Sequence, residues 1–173
     1  MMLNSRKIPA CYIFGSLVFF FHCLAAGGEN SEMAARVDAY AKRYAAGVLN
    51  NEPESIDPLV DEDLKKRLRE SGMEPREYIE KYLSILKNEG SRILSIEVAA
   101  GNLKISKNGL VYLAPWTRRI ETPIGVYSDS GNYLLTSYDN GETWGVVDNA
   151  CFIPGMLTEK FPDLPELLQE IAR

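Results

Sequence analysis

Gly90-Ser91-Arg92-Ile93-Leu94-Ser95-Ile96-Glu97-Val98 marks the point at which the periodicity of this chain changes. Leu94, Ile96 and Val98 alternate with Ser95 and Glu97, which places the apolar side chains on one face of a β-strand. Upstream of Gly90 the apolar residues recur every three to four positions instead. Tyr78, Ile79, Tyr82, Leu83 and Leu86 form a helical stripe that opens at Glu74-Pro75 and stops at Asn88-Glu89-Gly90. A preceding helix is predicted from Asp57-Pro58, where aspartate supplies the cap oxygen and proline fills the first helical position. It runs through Leu59, Leu64 and Leu68 to Ser71-Gly72. The first helix covers residues 33–49, with Met33, Val37, Tyr40, Ala41, Tyr44, Ala45 and Val48 on its apolar side. Asn30 or Ser31 caps it and Asn50-Asn51-Glu52-Pro53 ends it.

Downstream of Val98 the pattern stays that of strands. Leu103 to Lys107 and Leu110 to about Ile120 flank Asn108-Gly109, a pair suited to the positive backbone angles of a two-residue hairpin. Asp129-Ser130-Gly131-Asn132 reads as a turn. Tyr133 to Tyr138 and Thr143 to Val147 then form a hairpin around Asp139-Asn140-Gly141-Glu142. Residues 157–173 read as a short C-terminal helical tail, broken at Pro162 and restarted by Asp163-Leu164-Pro165. Helices first and a meander second predict an α+β domain, with three N-terminal helices packed on a curved antiparallel sheet.

That order of elements, with Ala34 to Leu49 followed by Asp57-Pro58-Leu59-Val60, resembles the cone-shaped, cystatin-like superfamily of ketosteroid isomerase and nuclear transport factor two. The resemblance covers roughly residues 31–150. It implies a pocket between helices and sheet, and a sheet face on which two copies pair into a homodimer, with Trp116 or Tyr127 on it. Ser137-Tyr138-Asp139-Asn140-Gly141-Glu142-Thr143-Trp144 looks like an Asp-box, a short hairpin pattern found in sialidase propellers and other β-rich proteins. Its residues suit a structural hairpin: Ser137, Asp139 and Thr143 bind the turn, Gly141 takes a left-handed conformation, and Trp144 packs beneath. A propeller needs several four-stranded blades, so sialidase chemistry does not come with this single match.

The N-terminus differs from the rest. Arg6 and Lys7 precede an apolar run from Ile8 to Phe21, and small residues follow at Ala25-Ala26-Gly27-Gly28, the layout of a secretory signal peptide. Residues 1–26 are therefore expected to be removed, leaving residues 27–173 as one domain in the periplasm or outside the cell, with no membrane attachment after cleavage. The remaining chain has 17 basic against 24 acidic residues, no histidine and Cys151 as its single thiol. A basic nucleic-acid footprint is absent. Imidazole-dependent triads, histidine metal sites and an intrachain disulfide cannot be built from this inventory. Cys151, beside Phe152 and Ile153, reads as a small buried apolar residue. The acids Glu52, Glu54, Asp61, Glu62 and Asp63 lack the alternating ligand loop of a calcium site, so neither metal nor cofactor is expected.

Tyrosine is the abundant aromatic. Tyr40 and Tyr44 are four apart on the first helix, as are Tyr78 and Tyr82 on the third. Two readings stand: phenols lining a ligand pocket, or a core whose tyrosines reach the rim. Tyr112, Ala114, Trp116 and Arg118 share one strand parity, so Arg118 either holds a ligand carboxylate or phosphate or pairs with Glu97, Glu121 or another strand acid. Asp148 is the candidate general base, or a cap for the following turn. The candidate ligand set is thus Tyr40, Tyr44, Tyr82, Tyr112, Trp116 and Arg118. The expected function is an exported noncatalytic binding module for a small ligand or a protein partner. The alternatives are a small isomerase- or hydratase-type enzyme with Asp148 as base and Tyr40 or Tyr44 as oxyanion donor, or an exported inhibitor or immunity protein.

Overall fold

The computed structural model describes residues 11–87, 90–148 and 159–165, with side chains from residue 31 onward except that of Leu86. The expectations for Cys151 and for the tail after residue 165 lie outside the described residues. By contact the chain divides into two units, Met1–Met33 and Ala34–Arg173. Among the described residues no helix is long and apolar enough to cross a membrane.

The architecture is α+β: the named elements among the described residues are four α-helices, followed by five antiparallel strands in one open sheet. Helix α1 spans Cys11–Asn50. Asn30 and Ser31 lie inside it, so neither caps it. The helical pattern upstream carries through Gly27-Gly28, whose cost is about 1 kcal/mol per glycine relative to alanine. Val37, Ala41, Tyr44, Ala45 and Val48 are buried on its apolar side.

The expected single helix from Asp57 is replaced by two pieces, a 3-10 turn (Asp57–Leu59) and α3 (Glu62–Glu70), and a short α2 (Pro53–Ile56) precedes them where the first helix was expected only to end. The three-helix arrangement is corrected accordingly. Asp57 closes α2, and the cap of α3 is Asp61, whose carboxylate accepts from Leu64 N at 3.0 Å. The reason lies in the residue between them. Val60 is extended and bridges Val146 of the sheet in parallel, with Asp61 N donating to Val146 O at 3.1 Å, so the chain cannot stay helical there. Helix α4 (Pro75–Leu86) buries Ile79 and Leu83.

The strands are β1 (Arg92–Val98), β2 (Asn102–Ser106), β3 (Gly109–Thr122), β4 (Gly125–Ser137) and β5 (Gly145–Asp148). Their order is β1-β3-β4-β5, and β2 also pairs with β3. Thus β1 and β2 lie end to end on one edge of β3, the first against residues 116–121 and the second against 109–113. The break between them falls at Pro115, which has no N–H to give to a ladder and whose carbonyl accepts from Ala99 N at 2.9 Å. A bulge between Ile93 and Ser95 interrupts the register of Leu94, so the alternation expected for Leu94, Ile96 and Val98 is not continuous.

Two turns differ from expectation. Residues 129–132 are no turn but the middle of β4, where Asp129 faces Arg118 and Gly131 sits opposite Trp116. The reversal comes earlier, at Pro123-Ile124, between Thr122 and Gly125. In the β2–β3 hairpin the two turn residues are Lys107 and Asn108, and Gly109 already belongs to β3. The turn is held from outside: Lys107 N donates to Asp163 Oδ2 at 3.2 Å and Ser106 Oγ to Asp163 Oδ1 at 2.5 Å. Phe161 and Leu164 of this C-terminal segment are fully buried.

Candidate functional site

The sheet and helices α1 and α4 bring five of the residues singled out by sequence to one place. Asp148 ends β5 opposite Tyr133 of β4 and is buried. Tyr82 of α4 donates its hydroxyl to Asp148 Oδ2 at 2.7 Å. Burial first, and the Asp148 carboxylate second, push the Tyr82 phenol well above its ordinary range. It therefore keeps its proton and serves as a fixed donor to the carboxylate. The Tyr133 ring meets Tyr44 of α1 edge-on, with centroids 5.1 Å apart, and lies 5.8 Å from Trp116. Arg118 places its guanidinium carbon 5.1 Å from the Trp116 ring centroid and pairs with Asp129 through Nη2 at 2.5 Å. Trp116 Nε1 and Arg118 Nε are both buried without a hydrogen-bond partner among the described residues.

Tyr133 and Asp129 were not among the residues sequence singled out. Both follow from the β3–β4 register, which aligns Ala114 with Tyr133 and Arg118 with Asp129. A correct placement of the Pro123-Ile124 turn finds them.

Tyr112 belongs elsewhere. Fully buried on β3, it donates its hydroxyl to Asp38 Oδ1 at 2.5 Å and accepts from Gly101 N at 2.8 Å, which ties α1 to the link between β1 and β2. Burial and then the Asp38 bond raise its phenol pKa, so this contact too is a protonated donor on a carboxylate.

Tyr40 points to a different space. A cavity of about 320 Å³ is lined by Tyr40 of α1, by Asp61 and Glu62 at the start of α3, and by Thr136, Thr143 and Trp144 of the last hairpin. Asp61 is buried and bridges two elements, accepting from Leu64 N through Oδ1 and from Thr136 Oγ1 through Oδ2 at 2.6 Å. Gly145 permits this approach, since a Cβ there would lie 2.5 Å from Asp61 Cα. Tyr138, also lining the cavity, stacks on Phe161 at 5.3 Å, and Lys160 Nζ lies 5.7 Å from the Tyr138 ring and 3.2 Å from Asp63.

The hairpin that forms one wall is held by its own side chains. Asp139 accepts from Thr143 N at 2.9 Å, from Thr143 Oγ1 at 2.6 Å and from Ser137 Oγ at 2.8 Å. Ser137 Oγ accepts in turn from Gly141 N at 2.8 Å, and Asn140 and Gly141 take φ of 58° and 90°. Trp144 Nε1 donates to Gly141 O, which Arg36 of α1 also reaches, each at 3.2 Å.

The Thr143 hydroxyl and amide, then the Ser137 hydroxyl, hold the Asp139 carboxyl at about 2, below its ordinary value of 3.8. A lowered folded-state pKa adds stability that is present above the unfolded value and is lost as pH falls through the folded one. The urea midpoint of the Asp139→Asn variant is therefore expected to lie below that of the parent at neutral pH. The gap closes between about pH 4 and pH 2. A gap that stays constant down to pH 2 would show that the Asp139 charge adds nothing to the turn.

Among the described residues no group of three or more His, Cys, Asp or Glu side chains is arranged to hold a metal ion. No family model matches the chain. No curated protein matches it either. Among solved structures it is similar to a SEC-C motif containing protein from Psychrobacter arcticus, at 15% identity and a TM-score of 0.47. The match covers 66% of this chain and 59% of that one. None of the comparisons supports the resemblance to the ketosteroid isomerase and nuclear transport factor two superfamily: no family model or curated protein matches, and the solved structure found is a SEC-C motif containing protein. The resemblance rested on element order, which unrelated α+β folds share. It also rested on a helix opening at Asp57-Pro58, where the chain forms a 3-10 turn instead.

Proposed function

We propose that this chain is an exported, noncatalytic binding module that takes a small ligand into the cavity between Tyr40, Asp61 and Trp144. The observation that carries the reading is the composition of that cavity. Tyr40 of α1 and Trp144 of the hairpin line it beside the Thr143 hydroxyl and the Glu62 carboxylate, which also accepts from Lys65 Nζ at 2.8 Å, while Asp61 and Thr136, each about 1% exposed, bond to one another in its wall. Rings offer flat apolar contact and the oxygens accept hydrogen bonds, so the chemistry suits a ligand with one apolar face and several hydroxyl or ammonium donors. The hairpin wall is pre-organised by the Asp139 bonds, which lowers the ordering cost of binding. Asp148 lies outside this cavity and is engaged by Tyr82, which favours a structural role for it over that of a base. The export assignment rests on Arg6, Lys7, the run from Ile8 to Phe21, and Ala25-Ala26.

The chain has two tryptophans, and Trp144 alone of the two lines the cavity, so indole N–H resonances offer an internal control. Titration with glucosamine, which carries hydroxyls, an ammonium and an apolar ring face, is expected to shift the Trp144 indole resonance saturably and leave that of Trp116 in place. Tyr40→Ala abolishes the shift and Asp148→Asn does not. Equal movement of both resonances, or none at millimolar glucosamine, counts against the reading.

A further inference from the structure

A second cavity adjoins the one that Tyr40 lines. It measures about 280 Å³, and Arg43, Ala46, Glu52, Glu54, Ser55 and Pro58 line it. Pro58 lines both cavities, and the Arg43 guanidinium carbon stands 5.8 Å from the Tyr40 ring centroid. Tyr40, Arg43 and Ala46 follow one another every three residues along one stripe of α1, each step rising about 4.5 Å. The step is comparable to the length of one pyranose ring. The charge of the second cavity is also its own. Two glutamates stand against one guanidinium, and among the described residues none of the three is in an ion pair within the chain. Glu52 Oε2 accepts from Ser55 Oγ at 3.0 Å, and Arg76, which feels the Glu54 charge, is itself paired with Glu80 at 3.0 Å.

We propose that the ligand of the Tyr40–Trp144 cavity is a β-linked amino-sugar chain of at least two units, the second of which crosses Pro58 and lies between Arg43 and Glu54. This deepens the ligand reading given above and rests on it. The first unit meets Tyr40 and Trp144, and the apolar face of the second lies on Pro58 and Ala46. The excess of carboxylate favours an ammonium group and disfavours an anion, so the second unit sets its ammonium beside Glu54. Arg43, already held over the Tyr40 ring, donates to a ring hydroxyl at little ordering cost. The two cavities therefore select for chain length as well as for sugar type.

The test compares glucosamine with its β-1,4-linked disaccharide, using the Trp144 indole resonance of the full chain as the reporter. The disaccharide is expected to bind about 10-fold more tightly or better, since its second unit binds from an already tethered position. Ala46→Arg fills the second cavity and brings a cation to it, and is expected to return the disaccharide to the affinity of the monosaccharide. Glu54→Gln is expected to remove about 3-fold of the gain, as the loss of one exposed charge contact does. Both positions are exposed, neither lines the first cavity, and an unchanged urea midpoint verifies that each variant folds. Monosaccharide affinity is expected to stay the same in both. If glucosamine shifts Trp144 but the disaccharide binds no more tightly, or keeps its whole advantage in both variants, the second seat is overturned while the ligand reading stands. If neither sugar moves the Trp144 resonance, both fall together.

Discussion

Asp61→Ala is expected to destabilise the folded chain by about 3 kcal/mol, the sum of a lost helix cap and a stranded buried hydroxyl. The carboxylate joins two elements far apart in sequence. Its Oδ1 caps α3 at Leu64 N, and its Oδ2 takes the Thr136 hydroxyl of β4, with both residues about 1% exposed. Losing the cap alone costs about 1 kcal/mol. Thr136 then retains only a long contact to Gly145 O at 3.5 Å, and an unsatisfied buried donor costs about 1–3 kcal/mol more. Urea denaturation followed by circular dichroism measures the loss. Adding Thr136→Val removes the stranded hydroxyl, so the double variant is expected to be more stable than the sum of the two single losses. A loss below about 1 kcal/mol for Asp61→Ala would mean that the cap is the whole of its contribution.

Gly109→Ala is expected to be the other severe change, costing about 3 kcal/mol or more. Gly109 opens β3 with φ of +151°, where an L side chain is strained, and a Cβ there would lie 2.2 Å from the carbonyl oxygen of Ser137. That oxygen belongs to backbone paired in the ladder through Leu110 and Ser137, so it cannot retreat without parting the strands. Exposed Gly72, with φ of +82° and no atom within 4 Å of where a methyl group would stand, provides the comparison, since its alanine variant carries the backbone strain without the clash. For a domain of this size each kcal/mol lowers Tm by about 2–4 °C. Thermal denaturation is therefore expected to show a drop for Gly109→Ala well beyond that for Gly72→Ala. Equal drops would place the whole cost in φ and none in the approach of β3 to β4.

Much of the fold is legible in the periodicity. The stripes Val37-Ala41-Tyr44-Val48 and Ile79-Leu83 are buried as helical spacing requires, and the change of period at Gly90 falls where the first strand begins. What is not legible depends on tertiary pairing. Asp57-Pro58 and Asp61 both look like helix starts, and the choice between them is made by the bridge from Val60 to Val146, which lies 86 positions away in the chain. Asp129-Ser130-Gly131-Asn132 has the composition of a turn, but Arg118 opposite Asp129 and Trp116 opposite Gly131 hold it as a strand. The same dependence governs the site. Helical spacing puts Tyr40 and Tyr44 on neighbouring positions of one helix, yet Tyr44 packs on Tyr133 while Tyr40 lines the cavity beside Trp144. Which tyrosine meets which partner follows from strand register, and a slip of one residue exchanges the faces.

The single parallel bridge between Val60 and Val146 also bears on solubility. Strand β5 is four residues long and pairs with β4 on one side. Its other side would offer unpaired amides and carbonyls to any passing strand, the template from which sheets extend into aggregates. The Val60–Asp61 segment occupies that side, with Asp61 N on Val146 O and a buried carboxylate anchoring it to Thr136. The start of α3 is therefore a guard as well as a helix end. Its release leaves a chain with intact helices and an exposed Gly145-Val146-Val147 edge, and such a chain is lost to precipitation before it is lost to unfolding.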